Sequence, residues 1–96
     1  MNRVELIGIV SKAPWEYLKN VTMFEVETST LDHVTTHNLL SPKRFEDITN
    51  TLEEGDTVHI IGSLMYSEYM NNGLGAYKIL VETINTSKYH RQSINK

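Results

Sequence analysis

Cysteine is missing from all 96 residues, which excludes a disulfide and a thiolate metal site. No apolar run approaches the length needed to span a bilayer. The N-terminus lacks the charged, apolar and small-residue succession of a secretory signal, so the expectation is a cytoplasmic protein. The Asn-x-Ser/Thr matches at Asn20 and Asn85 are then chance occurrences. Neither a nucleophile–base constellation nor a phosphate-cradling glycine loop is present. Glu25, Glu27, Glu53, Glu54 and Asp56 have no catalytic context, because paired carboxylates that cleave a substrate need a defined separation across a cleft. His33 and His37 lie four apart in a segment that reads as strand, with no third ligand, and no metal or other cofactor is expected. The chain therefore reads as a non-enzyme. It also lacks an excess of cations: nine Lys and Arg against twelve Asp and Glu give a net charge of −3 and a pI near 5.7. A dedicated nucleic-acid binder is usually basic. This balance weighs against strong phosphate binding by a bare monomer, though the distribution of charge matters more than its sum.

The length allows one domain with a thin core, of the kind often helped by oligomerisation. Two segments match in pattern: Met1 to Val10, and Leu52 to Leu64, each read as a strand with a glycine among apolar residues. Glycine inside a strand marks a bulge or a sharp bend, and two bent strands in a short chain predict a small, strongly coiled barrel. In the first, Val4, Leu6 and Val10 share a face with Gly8, while Ile7 and Ile9 make the other face half apolar. Ala13-Pro14 is read as its end, because proline cannot donate to a ladder, and Trp15 to Asn20 as a loop. Val21 to Thr28 and His33 to Leu40 read as further strands joined by a polar turn. Pro42 to Glu54 reads as a helix, with Ser41 as N-cap, Pro42 in the first position, an apolar stripe of Phe45, Ile48 and Leu52, and Gly55 as its stop. Asp56 to Tyr69 and Ala76 to Ile84 are the last strands, and Asn72-Gly73 signals the hairpin between them. Three strands, one helix and two strands is the arrangement of an all-β five-stranded OB-fold Greek-key barrel, a common platform for oligonucleotides. The domain is placed at residues 1–84 and a polar tail at 85–96.

Trp15, with Lys12, Tyr17 and Lys19 nearby, is the best basic–aromatic cluster in the chain. An indole there can stack on a base while the lysines meet phosphates. Arg3, Lys43 and His37 are further candidates for nucleic-acid contact. A surface ion pair with Glu46 or Asp47 is an equal alternative for Lys43.

Met1-Asn2-Arg3-Val4-x-Leu6-Ile7-Gly8 resembles the start of bacterial and phage single-stranded-DNA-binding proteins, and Leu52-x-x-Gly55-Asp56-x-Val58-x-Ile60-x-Gly62-x-Leu64 resembles their fourth-strand region. The later hairpin, Gly73, Tyr77 and Ile79-Leu80-Val81-Glu82 continue the likeness over residues 1–84. The resemblance implies an OB barrel that coats single-stranded DNA with little sequence preference in replication, recombination or repair. It also implies a homo-oligomer, dimer or tetramer, with a replication protein as a further partner. The family also has a Lys at Lys43, and Tyr69 stands where it has a stacking Trp. Other platforms are replaced by Thr35 and Ser41, and basic residues by Met65, Ser67 and Glu68. The family's acidic, partner-recruiting C-terminal tail has no counterpart, so this chain is expected to be a short divergent member that does not recruit partners that way. The rival reading keeps the barrel as a protein-interaction module, an accessory replication or plasmid-transfer subunit, with Ile7, Ile9 and Met65 at an interface. RNA binding by the same surface is a third.

Overall fold

The computed structural model describes residues 2–67 and 76–86; the expectations for Tyr69, for the Asn72-Gly73 turn and for residues 87–96 lie outside them. Five strands, β1 (Val4–Leu18), β2 (Val21–Ser29), β3 (Val34–Pro42), β4 (Thr57–Ser67) and β5 (Ala76–Thr86), close into a barrel in the order β1-β2-β3-β5-β4. Only β3 and β5 run parallel. A 3-10 turn (Lys43–Phe45) and a short helix α1 (Glu46–Thr49) stand between β3 and β4. The fold is the expected OB-fold.

Closure depends on β1. Its first half pairs with β4, from Val4↔Gly62 to Ile9↔Thr57, and its second half pairs with β2, from Ile9↔Glu27 to Leu18↔Val21. Gly8 sits at this change of partner. A Cβ there would stand 2.7 Å from the Val26 methyl Cγ1 and collide with the Glu27 carbonyl oxygen. Gly62 holds the matching position in β4, beside the register shift against β5, where a Cβ would meet the Leu80 carbonyl oxygen. Both glycines mark the close approaches expected of bent strands.

Leu6, Val10, Phe24, Val26, Leu39, Val58, Ile60, Ile79, Val81 and Ile84 fill the barrel, and Leu52 caps them, with Phe45 and Ile48 packed against the cluster. The expected apolar stripe therefore does face the core. Backbone bonds from Gly55 N–H to the Val10 carbonyl (2.8 Å) and from Val10 N–H to the Asp56 carbonyl (2.8 Å) staple the helix-to-β4 connection onto β1. Gly55 has φ 98°, in the left-handed region.

The structure departs from the sequence reading in two places. β1 does not end at Ala13-Pro14 but continues to Leu18, so Trp15 lies on a strand rather than in a loop. Between Lys12↔Glu25 and Trp15↔Met23 the first strand carries Ala13 and Pro14 against Phe24 alone, a bulge, and a bulge is where a strand tolerates proline. The loop shrinks to Lys19-Asn20, with Asn20 at φ 66°, in the left-handed region that asparagine tolerates. The helix is also far shorter than Pro42 to Glu54. Ser41 and Pro42 belong to β3, paired with Thr22 and Val21, so Ser41 caps nothing. Strand pairing outweighs the local capping preference. Thr49 and Thr51 then turn their hydroxyls onto the Phe45 and Ile48 carbonyls (3.2 and 2.7 Å), the competition with backbone that ends helices early.

Gly62→Ala is expected to cost about 2 kcal/mol or more in urea denaturation, because backbone rather than a flexible side-chain tip fills the space. Ser41 is 1% exposed, and among the described residues its hydroxyl is the buried side-chain group without a partner. Ser41→Ala should leave stability unchanged or raise it by up to about 1 kcal/mol. The loss of about 1 kcal/mol expected from removing a helix cap would contradict the strand placement.

Candidate nucleic-acid interface

Three neighbouring strands each carry an apolar doublet: Met23-Phe24, Leu39-Leu40 and Ile79-Leu80. Successive side chains on a strand point to opposite faces, so one member of each doublet must leave the core. The ladder sorts them. Phe24↔Leu39 and Leu39↔Ile79 point inward, while Met23↔Leu40 and Leu40↔Leu80 point outward. Trp15, directly opposite Met23, adds a fourth strand to the outer strip. Met23 is 6% and Leu40 8% exposed, although neither belongs to the core cluster. The barrel thus has a second apolar layer on its outside, crossing β1, β2, β3 and β5.

Lys12 stands over the Trp15 ring with Nζ 4.6 Å from its centroid, a cation–π contact. The bulge brings the two together. Beside the strip runs a polar row: Lys12 opposite Glu25, Glu25 opposite Asn38, and across the barrel Lys78 opposite Met65. Glu25 puts a carboxylate in this row, and it accepts a long hydrogen bond from the Ser11 hydroxyl (3.4 Å). A cation held over a flat ring beside an apolar strip can receive a planar base with its attached phosphate.

The other candidates lie elsewhere. Lys19 is exposed in the β1–β2 turn. Lys43 lines an open cleft of about 270 Å³ with Glu16, Asn20, Val21, Thr22 and Glu46, so two carboxylates share its surroundings. Arg3 is exposed immediately before β1, beside Asn2, whose side-chain amide clasps the Leu64 backbone in both directions (2.6 and 3.0 Å). His37 lies opposite Val26, which places it on the core side of the sheet, with Nε2 2.9 Å from the Thr28 hydroxyl. Lys12 and Trp15 are therefore brought together, whereas His37 faces away from them. Tyr69 is outside the described residues.

Sequence reasoning missed the outward members of the doublets, while Tyr77 has the parity of Ile79 rather than that of Lys78 and Leu80. Met23 and Leu40 were legible as apolar residues on the wrong side of a core strand, and the doublets were the signal. Tyr66 and Tyr77 form an exposed cross-strand pair, with ring centroids 4.9 Å apart and planes tilted by 60°, on the β4–β5 hairpin. Among the described residues no group of three His, Cys, Asp or Glu could hold a metal ion. No described helix is long and apolar enough to cross a membrane.

No protein-family model matches the chain, and no curated protein matches it in sequence. Solved structures do. A Plasmodium falciparum SSB in complex with single-stranded DNA superposes with a TM-score of 0.75 at 18% identity, over 90% of this chain and 94% of that one. The mitochondrial single-stranded-DNA-binding protein Rim1 of S. cerevisiae gives 0.74 at 11% identity, over 88% and 93%. A second structure of Rim1 gives 0.71 at 10%, over the same shares. These neighbours share the OB barrel across nearly its whole length.

Proposed function

We propose that this protein binds single-stranded DNA, largely without sequence preference, across the outer face of β1, β2, β3 and β5, as a non-catalytic homo-oligomer serving DNA replication, recombination or repair. The observation that carries the reading is Lys12 poised over Trp15 at the margin of the outer apolar strip. The strip lies on the OB-fold surface that includes strands 2 and 3, where such barrels take oligonucleotides. The structural neighbours support the same reading. Bases stack on Trp15 and on the Tyr69 region, while phosphates meet Lys12, with Lys19, Arg3 and Lys43 as outlying cations. Net acidity makes the affinity modest and strongly dependent on salt.

A homo-oligomer is supported by the outward side of β1 and β4. Ile7 is 65% and Ile9 51% exposed there, next to the Glu5–His59 pair at 2.6 Å. Two large aliphatic side chains on neighbouring positions of one face favour a subunit contact over water.

One observation favours a protein-interaction role at another place. At the tip of the β2–β3 hairpin, residues 28–36 contain Asp32 but no Lys or Arg, and Leu31 and Val34 are exposed. This tip suits a protein surface better than a polyphosphate, and a partner protein of the replication machinery fits it. A pull-down that yields a partner only with Leu31 intact supports that role.

The single tryptophan makes fluorescence a direct reporter of this face. Titration with a dT oligomer at two salt concentrations should quench Trp15, more weakly at the higher. Trp15→Ala, followed by gel shift, should weaken binding by about 1–3 kcal/mol. Absence of quenching at low salt rejects the proposal, and competition by a matched RNA oligomer decides between DNA and RNA. In sedimentation velocity the wild type should run as a dimer or larger. Ile7→Glu with Ile9→Glu should run as a monomer that keeps its circular dichroism.

A further inference from the structure

Lys78 is the buried charged side chain that nothing above has used. It is 5% exposed on β5, directly opposite Met65, two residues before Leu80 of the outer strip. Alternation therefore puts Lys78 on the outer face with Leu80, Leu40, Met23 and Trp15. It also precedes the parallel pair Leu39↔Ile79 on its strand as Asn38 does on the other, which extends the polar row Lys12–Glu25–Asn38 onto β5.

A lysine on such a strip buries its aliphatic stem against apolar neighbours and keeps its ammonium at the edge. Among the described residues no carboxylate is ion-paired with Lys78. Of the acids on the same face, Glu25 accepts from the Ser11 hydroxyl at 3.4 Å and Glu82 from the Ser63 hydroxyl at 2.7 Å, while Glu27 lies farther along β2, opposite Ile9. Structural need does not account for the charge, because Met or Leu would cover the strip as well as the lysine stem does. A lysine stem packed along the apolar strip, with no carboxylate paired to it among the described residues, leaves its ammonium available to a phosphate at the strip's margin.

We infer that Lys78 is a phosphate-binding residue of the single-stranded-DNA face, taking a backbone phosphate at the β5 side of the apolar strip as Lys12 does at the β1 side. The inference rests on the proposed DNA binding and deepens it. The two lysines sit on strands separated by β2 and β3, three strand spacings or about 14 Å. A polynucleotide crossing the strip is thus gripped at both margins, with its bases between. The acidic β2 lies inside that span, and the cations flank it.

Lys78→Met keeps the stem and deletes the charge, whereas Lys78→Arg keeps the charge. Trp15 fluorescence titrations with a dT oligomer across a salt series read both. Lys78→Met should bind about tenfold more weakly at low salt. Its slope of log affinity against log salt should be shallower by about 0.7, one phosphate contact on a single strand. Lys78→Arg should keep the wild-type slope. Thermal unfolding of Lys78→Met should match the wild type, since the packed stem is kept. If Lys78→Met does not fold, Lys78→Gln makes the same comparison. Wild-type affinity and slope in the folded neutral variant overturn the inference and leave the DNA-binding proposal standing. A wild-type chain that does not bind at low salt overturns both.

Discussion

The sheet closes because one strand serves two neighbours. β1 pairs with β4 over its first half and with β2 over its second, and the turn between them passes through Gly8. At that point the backbone of β2 lies so close that no side chain fits, and Gly62 solves the same problem against β5. A sheet of five strands cannot roll up without such close approaches, because twist and coil accumulate fastest where strands change partners. Everything else follows from closure. Inside and outside become distinct surfaces, and every alternating position on every strand is assigned to one of them.

That assignment creates two apolar layers from a short chain. The interior takes Phe24, Leu39, Ile79 and their neighbours, and the exterior takes Met23, Leu40 and Leu80 with Trp15. An apolar strip on the outside of a small barrel is a liability unless something covers it. Here long amphipathic side chains border it: Lys12 lies over the indole, and Lys78 lies in the row beside Leu80 with little of its surface open. The same residues that shield the strip from water also carry the positive charge a phosphate backbone needs. An acidic chain can therefore present cations at the two margins of the strip, with Glu25 of β2 lying between them. Glu5 pairs with His59 on the β1–β4 side, Glu82 accepts from Ser63, and Glu27 and Asp32 lie along the β2–β3 hairpin.

Much of this was legible before any coordinates. The glycines in Met1 to Val10 and Leu52 to Leu64, the strand order and the stripe Phe45, Ile48 and Leu52 predicted the barrel and the direction the helical connection faces. The boundaries were not legible where a tertiary contact overrode a local rule. Pro14 reads as a strand end only if the partner strand cannot absorb a bulge, and β2 does. Ser41-Pro42 reads as a helix start only if β2 does not extend to pair with it, and Thr22 and Val21 do. Of the site, the proximity of Lys12 and Trp15 was expected, but as a loop cluster rather than as the edge of a strip.

What the sequence determined by itself is what depends on near neighbours along the chain: alternation, the need for glycine at a bend, and the apolar stripe of a helical turn. What only the tertiary structure decided is which residues from distant strands share a face. Lys78 and Lys12 are separated by most of the chain, yet the ladder from β1 through β2 and β3 to β5 sets them on one surface. His37 is far nearer to Lys12 in sequence and is carried to the other side. The reason is the period of two along a strand: shifting a register by one residue exchanges inside for outside, and register is a property of the closed sheet.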